Sequence, residues 1–188
     1  MSISDTKQFQ KANSPREILD LVDHNDVVLG TINREIANKD PKLTHREISV
    51  LLFDKNKRVV IQKRSKYKSV HPGWWSLLAG HIPAGGDPER TAYEELKEEF
   101  GLEGIQLQFL MKKYLEYDHE SHFMYYFVGQ YNGEKINFEE SEVEAVAVVS
   151  KAELEHMIQD GEIFNQKYMP ILDKIWNGEL QIRFGEDV

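Results

Sequence analysis

The sequence has no cysteine among its 188 residues, which excludes disulfides, thiolate nucleophiles and zinc–thiolate centres. It also has no apolar run long enough to cross a membrane. The first residues, 1–5, lack the apolar core of a signal peptide. We therefore expect a cytoplasmic protein that does not bind a membrane.

The sequence has fewer basic than acidic residues, 23 Lys and Arg against 32 Asp and Glu, so its net charge is −9. Because phosphate backbones repel such a chain, we do not expect a nucleic acid polymer as its main partner. The 40% hydrophobic and 29% charged residues are typical of a globular domain. We expect a loose segment over 1–15 and a single domain over 16–188, with a homodimer as the ordinary expectation for a small soluble enzyme.

The most informative segment is a glycine-rich stretch, residues 80–87, followed by an acidic helix. Asp87 is a good N-cap, Pro88 suits the first helical position, and Gly101 can end the helix in a left-handed conformation. One side of this helix carries an apolar stripe that should pack on a sheet. The stripe consists of Ala92, Tyr93, Leu96 and Phe100.

The other side of the helix carries three carboxylates. Glu95, Glu98 and Glu99 are i, i+3 and i+4 neighbours, which share one helical face. They repel one another unless a cation lies between them, and Mg²⁺ commonly bridges carboxylates to substrate phosphates. The segment therefore predicts a metal site for diphosphate chemistry, and a solvated acidic face is the structural alternative.

The rest of the chain predicts an α/β fold with a mixed sheet and helices on both faces. Strands are expected at 19–22, 27–29, 48–53, 58–62, 75–78, 107–117, 123–131 and 145–149. A turn or short helix is expected at 33–38, and a last helix at 166–176. Ser150 and Glu153 form a capping box that should begin a helix ending near Gly161.

Residues 80–102 resemble the Nudix box: G, five residues, E, seven residues, R-E, an aliphatic, any residue, E-E, any residue, G, an aliphatic. The positions that fit are Gly80, Glu95, Leu96, Glu98, Glu99, Gly101 and Leu102. The resemblance implies a Nudix-type α/β/α sandwich with a mixed β-sheet. It also implies that Glu95, Glu98 and Glu99 bind Mg²⁺ or Mn²⁺, and that the protein hydrolyses a diphosphate linked to another group.

Two positions depart from the box. Gly86 stands where the pattern has its first glutamate, which removes either a ligand or a brace of the loop. Glu94 replaces the arginine and lies one turn from Glu98. We expect this extra negative charge to raise the cost of the metal-free site and to increase dependence on the cation.

A second resemblance, to the isopentenyl-diphosphate isomerase branch of the superfamily, is carried by Lys63-Arg64, Lys68, the run 71–75 and Ala79-Gly80-His81. It implies that Arg64 and Lys68 contact the substrate diphosphate, a task that suits guanidinium and ammonium groups. It also implies a candidate second metal site for Mn²⁺, Zn²⁺ or Fe²⁺. The residues at its matching positions are His45, His81, Glu120 and His122, the last in the place of the isomerase's catalytic glutamate.

The same alignment disfavours isomerisation. Ala79 occupies the position of the isomerase's catalytic cysteine and has no proton to give. We therefore predict a metal-dependent hydrolase that cleaves the P–O–P bond of a small-molecule diphosphate, in a nucleoside di- or triphosphate or a related conjugate. Two alternatives remain: an isomerase-like enzyme, and a non-catalytic diphosphate-binding module, which the departures at Gly86 and Glu94 favour.

In the predicted mechanism, Arg64 and Lys68 clamp the phosphates while a carboxylate accepts the proton of the attacking water. Candidates for that carboxylate are Glu98, Glu99 and Glu142, with Glu144 of the same acidic loop as a further choice. Aromatic side chains could stack on a base or cover an isoprenoid, although such residues are more often part of a core. The aromatic candidates are Tyr67, Trp74, Trp75 and Tyr125.

Overall fold

The computed structural model describes residues 17–184, so the expected loose segment at 1–15 lies outside the described residues. The strands are β1 (Ile18–Val22), β2 (Val28–Asn33), β3 (His45–Phe53), β4 (Val59–Arg64), β5 (Trp75–Ser76), β6 (Leu78–His81), β7 (Leu107–Glu116), β8 (Ser121–Gln130) and β9 (Val143–Val149). The helices are α1 (Arg34–Ala37), α2 (Pro88–Phe100), α3 (Lys151–Gln159) and α4 (Met169–Trp176), with a 3₁₀ turn at Gln166–Tyr168. No helix of the described part is long and apolar enough to cross a membrane.

Strands β3 to β9 form one mixed sheet, in the order β5–β4–β3–β8–β7, with β6 also paired to β3 and β9 to β4. Strand β8 runs parallel to β3, and the other pairs in the sheet are antiparallel. The single strand expected at 75–78 is wrong. Trp75 and Ser76 pair with β4, whereas Leu78–His81 pair with β3, so the chain changes partner at Leu77.

Helices cover both faces of this sheet, which confirms the α/β/α sandwich. Along β3, side chains alternate between the faces. Ile48, Val50 and Leu52 share a core with α2, whereas Leu51 and Phe53 share one with α3 and α4. The buried residues contributed by the helices are Ala92, Leu96 and Phe100 on the first face and Leu154, Ile171, Leu172 and Ile175 on the second.

Local sequence signals set the ends of α2. The Asp87 side chain accepts a hydrogen bond from the Arg90 N–H at 2.9 Å, and Pro88 is the first helical residue. Gly101 ends the helix with φ at 65°, a left-handed conformation that glycine adopts readily. Tyr93 is the exception in the predicted apolar stripe. It is 37% exposed, because it lies at the edge of the stripe, and its hydroxyl accepts a hydrogen bond from the Leu107 N–H.

The remaining elements are a hairpin at the start of the described residues and a 3₁₀ turn near their end. Strands β1 and β2 form a separate antiparallel hairpin, as expected from the sequence. The helix predicted at 166–176 divides into the 3₁₀ turn and α4, because Pro170 lies in the first turn of α4 and has no N–H for a helical hydrogen bond. This turn brings Lys167 to the cavity described below.

Candidate functional site

A cavity of about 920 Å³ lies between the carboxylate face of α2, strand β6 and the loops around β4 and β8. It collects most of the side chains singled out in the sequence. Those on its wall are Arg64, Lys68, Glu95, Glu98, Glu99, Glu120, Glu142 and His81. Glu47 and Lys167 also line it, whereas His45 and His122 are fully buried.

The three carboxylates of α2 enter the cavity in different environments. Glu95 lies against β6 so closely that a Cβ at Gly80 would be 2.2 Å from its Oε1. Glu99 is 6% exposed and accepts a hydrogen bond from Gln62 Nε2 at 2.7 Å. Glu98 is exposed and lies on the cavity wall. Glycine at position 80 is therefore what allows Glu95 to occupy this place.

The electrostatics of this group favour a cation. Burial raises the pKa of Glu95 well above its usual range, and the negative charges of Glu99 and Glu98 raise it further. Burial also raises the pKa of Glu99. Clustered, desolvated carboxylates of this kind are stabilised by a hard divalent cation, so the residues present fit Mg²⁺ or Mn²⁺.

Basic residues lie beside these carboxylates. The Lys68 ammonium forms a salt bridge with Glu142, and the Ser65 N–H donates to the Glu142 carbonyl at 2.9 Å. Arg64 Nε donates to the Val70 carbonyl at 3.0 Å, which anchors the guanidinium at the cavity wall. Glu142 is therefore paired with a cation, whereas Glu98 is exposed at the cavity wall.

The two departures from the box do not reach the cavity. Glu94 accepts a hydrogen bond from Arg90 Nε at 2.7 Å on the exposed side of α2, so its charge is paired with Arg90 outside the cavity, and the expected stronger dependence on the cation stays a prediction. Gly86 donates to the Pro83 carbonyl at 2.7 Å, and a Cβ at Gly86 would lie 2.8 Å from that oxygen. A longer side chain at Gly86 would therefore disturb the turn.

Strand pairing creates a second group of ligands. His45 and Glu47 are two residues apart on β3 and share one face. The parallel register places His122 opposite His45, and the antiparallel register places His81 opposite Glu47. Three imidazoles and one carboxylate thus converge beneath the cavity.

The separations of the histidine nitrogens from the Glu47 carboxylate match those between two ligands of one tetrahedral metal ion. The Nε2 atoms of His45 and His81 each lie 3.4 Å from Glu47 Oε1, and His122 Nε2 lies 3.6 Å from Glu47 Oε2. Bonds of about 2.1 Å to a tetrahedral ion put donor atoms about 3.4 Å apart. Within residues 17–184, neither ring nitrogen of His122 has a hydrogen-bond partner. His45, Glu47 and His122, whose ligand atoms all lie within 4.8 Å of one another, therefore fit a transition metal, and His81 lies beside Glu47.

Protonation states agree with this assignment. Burial lowers the pKa of His81 well below its usual range and that of His122 to about 4, so both imidazoles are neutral at pH 7. Burial opposes ionisation of Glu47, but attraction to His122 in the acidic range where that ring is protonated, and to the Lys167 ammonium, outweighs burial and holds the pKa of Glu47 well below its usual range. Neutral imidazole and ionised carboxylate are the forms that bind metals.

The sequence prediction missed Glu47 and Lys167. Lys167 Nζ lies 3.5 Å from Glu47 Oε2, although 120 residues separate them in the chain. Glu120, which was predicted as a ligand, lines the cavity beside this group, and its pKa is raised by burial and by the charge of Glu47. The alternation of His45 and Glu47 was the available signal, because it placed both on one strand face.

Of the aromatic candidates, Trp74 lines the cavity and stacks on His71 with ring centroids 4.1 Å apart. Trp75 is buried and donates its indole N–H to Glu162 at 2.8 Å. The Tyr125 hydroxyl bonds to Asp26, on the hairpin side of the sheet. Ala79, at the position of the isomerase cysteine, also lines the cavity.

Comparison with known proteins places this geometry in a family. The family model described as the NUDIX domain matches residues 43–171. Isopentenyl-diphosphate Delta-isomerase of Streptomyces coelicolor is 34% identical over 166 residues, covering 83% of this chain and 82% of that protein. An uncharacterized Nudix hydrolase of Pseudomonas aeruginosa is 33% identical over 99 residues, 52% of this chain and 58% of that protein.

Solved structures share the same fold. The crystal structure of DR0079 from Deinococcus radiodurans superposes with a TM-score of 0.72 at 20% identity. The match covers 84% of this chain and 98% of that chain.

Proposed function

Because this chain belongs to the Nudix family, we propose that it is a metal-dependent hydrolase that cleaves the P–O–P bond of a small-molecule diphosphate. The observation that carries the proposal is the meeting of two opposite charge groups in one cavity. Glu95, Glu98 and Glu99 lie on one wall, and Arg64 and Lys68 lie beside them. A diphosphate with its divalent cation complements both groups.

The carboxylates Glu95, Glu98 and Glu99 would hold a divalent cation, which when bound lowers the pKa of water and neutralises diphosphate oxygens. The chain itself positions the substrate. Arg64 and Lys68 bind the phosphate oxygens and stabilise the negative charge that grows as the P–O bond breaks. Gln62 orients Glu99 through its hydrogen bond.

We assign the general base to Glu98. Glu98 is exposed and lies on the cavity wall, so its carboxylate can meet the attacking water. Glu99 is buried and hydrogen-bonded to Gln62, and Glu142 is paired with Lys68. The water proton therefore passes to Glu98 as the water oxygen attacks phosphorus.

A hydrolase is favoured over an isomerase by the residue at position 79, which lies on β6 next to Gly80 and the Glu95 carboxylate. Allylic proton transfer needs an acid or base beside the carbon chain, and Ala79 offers none. His122 is fully buried, and burial lowers its pKa to about 4, so the ring is neutral at pH 7 with one unprotonated nitrogen, a form suited to binding a metal. Within this class we infer a nucleotide-type diphosphate, because Trp74 supplies an aromatic surface in the cavity on which a base can stack.

The isomerase is the second candidate, favoured by the relative from Streptomyces coelicolor and by the group of His45, Glu47, His81 and His122. The two reactions differ in their products. Isopentenyl diphosphate incubated with the protein yields dimethylallyl diphosphate if it isomerises, and a monophosphate or free phosphate if it hydrolyses.

The test is phosphate and monophosphate release from nucleoside and isoprenyl diphosphates, with Mg²⁺, with Mn²⁺ and with no metal. The double variant Glu98→Gln/Glu99→Gln should abolish metal-dependent turnover and keep the fold. Glu94→Gln is the matched control, because it removes a carboxylate of the same helix that is paired outside the cavity. Undiminished turnover in the double variant would overturn the proposed site.

A further inference from the structure

The β1–β2 hairpin is packed against the glycine-rich loop that leads into α2. Leu19 forms an isolated β-bridge with Pro83, and the Ala84 N–H donates to the Ile18 carbonyl at 2.8 Å. The hairpin precedes residue 43, where the match to the family model begins. The loop is therefore held by a part of the chain outside the matched region.

The centre of this contact is the Asp20 carboxylate. Both of its oxygens accept from the Gly85 N–H at 3.2 Å, and Arg46 Nη1 lies 3.2 Å from Oδ2. Arg46 is itself fixed by two hydrogen bonds of 2.6 Å to Asp26, one to the side chain and one to the backbone carbonyl. Asp20 is 6% exposed, so its position is set by these partners.

The glycine-rich loop has no room for a side chain of its own that could accept the hydrogen bond of the Gly85 N–H. Gly85 has φ at 70°, and the Gly86 N–H closes the turn onto the Pro83 carbonyl. A side chain at Gly86 would crowd that carbonyl, as described above. The Gly85 N–H finds its acceptor across the loop, in Asp20.

We propose that Asp20 is a positioning residue for the metal-binding carboxylates, acting through Gly85 and the turn that begins α2. Gly85 is two residues before the N-cap Asp87, so a shift of the turn moves the first turn of the helix. The same loop begins at Gly80, against which Glu95 lies. Asp20 thus fixes the loop that joins Gly80, against which Glu95 lies, to the first turn of α2.

This inference rests on the proposed function, because it assigns Asp20 a role in that metal site. Partners that orient metal ligands typically change metal affinity by about 10- to 100-fold when they are lost. A purely structural residue would lower thermal stability and leave metal affinity unchanged in the folded protein. Metal affinity is therefore the discriminating measurement.

The experiment is titration of the full chain with Mg²⁺ by isothermal calorimetry, since Mg²⁺ prefers the carboxylate group to the imidazoles. Asp20→Ala should raise the Mg²⁺ dissociation constant about tenfold. Asp54→Ala is the matched control: the Asp54 carboxylate braces the β3–β4 turn in the same way, accepting from the N–H groups of Asn56 and Arg58 at 2.9 Å, away from the cavity. It should change the constant less than about twofold.

Two readouts accompany the titration. In turnover assays, Asp20→Ala should raise the half-saturating metal concentration and leave KM at saturating metal unchanged. If Asp20→Ala does not fold, Asp20→Asn keeps one oxygen for the Gly85 N–H but loses the ion pair with Arg46, and should give a smaller loss of affinity. Hydrogen exchange at Gly85 should be faster in both variants.

The outcomes separate this inference from the proposed function. Equal Mg²⁺ affinity in wild type, Asp20→Asn and Asp20→Ala would overturn the role of Asp20, and so would an equal loss in Asp54→Ala. A wild-type chain that binds Mg²⁺ but cleaves no diphosphate would overturn the proposed function alone. A wild-type chain that binds no Mg²⁺ would overturn both.

Discussion

Replacing Gly80 with alanine is the sharpest perturbation of the carboxylate group. A Cβ at this position would lie 2.2 Å from Glu95 Oε1, 2.4 Å from its Cδ and 2.8 Å from its Cγ. Ordinary contacts begin at 3.4 Å, so the Glu95 carboxylate must retreat by about 1 Å. We expect Gly80→Ala to displace this ligand while the backbone of β6 stays in place.

The expected fall in rate follows from how precisely catalytic groups must be placed. Productive geometry is held to about 0.5 Å, and a misplacement of about 1 Å can lower the rate about 100-fold. The fold should tolerate the change, because only the outer end of one side chain moves. Alanine in place of glycine also restricts the unfolded chain, which stabilises the folded state by about 0.4–1 kcal/mol. We therefore expect kcat to fall about 100-fold with Tm within a few degrees of wild type.

Gly30→Ala is the matched control. Gly30 also lies in a strand, but a Cβ there has no neighbour within 4 Å. The assay is kcat, KM and half-saturating Mg²⁺ for one diphosphate substrate, with thermal melting followed by circular dichroism. If Gly80→Ala turns over within twofold of Gly30→Ala, Glu95 does not serve as a ligand from the position described.

Three further results are expected. Burial and neighbouring negative charge raise the pKa of Glu95, so its carboxyl group binds a proton more tightly in the folded chain than in the unfolded chain. The free energy of unfolding of the metal-free protein should therefore fall as the pH rises above about 4.3, the pKa of a glutamate in an unfolded chain. Glu95→Gln should flatten that decline in urea midpoints between pH 5 and 8, and an unchanged slope would contradict it. His122→Ala should reduce the Mn²⁺ or Zn²⁺ retained after loading and dialysis, measured by plasma mass spectrometry, whereas equal retention would exclude His122 as a ligand. Asp26→Ala removes the carboxylate that Arg46 and the Tyr125 hydroxyl share, and should lower the free energy of unfolding by about 2 kcal/mol in urea titrations. A change below about 0.5 kcal/mol would show that the network is replaceable.

Features set by local sequence could be predicted. The capping residues Asp87 and Gly101 fix the ends of α2 through contacts within a few residues, and the structure has both caps. The spacing of Glu95, Glu98 and Glu99 places them on one face in any α-helix. The helix and its carboxylate face therefore follow from the sequence without knowledge of the rest of the fold.

Features that depend on which strands pair could not be predicted from the sequence. Glu47 joins three histidines only because β3 pairs with β6 on one side and with β8 on the other, and neither register is encoded locally. Lys167 reaches Glu47 from a turn 120 residues away. The change of partner at Leu77 likewise divides an apparently continuous strand, since residues on its two sides pair with different neighbours.

The most direct test of the central claim is to follow oxygen from water into product. Turnover of a diphosphate in ¹⁸O-labelled water with Mg²⁺ should place the label in the released phosphate or monophosphate, as measured by mass spectrometry. Labelled product should disappear without metal and in the Glu98→Gln/Glu99→Gln variant. An unlabelled diphosphate product with a shifted double bond, or full labelling by that variant, would contradict hydrolysis at the α2 carboxylates.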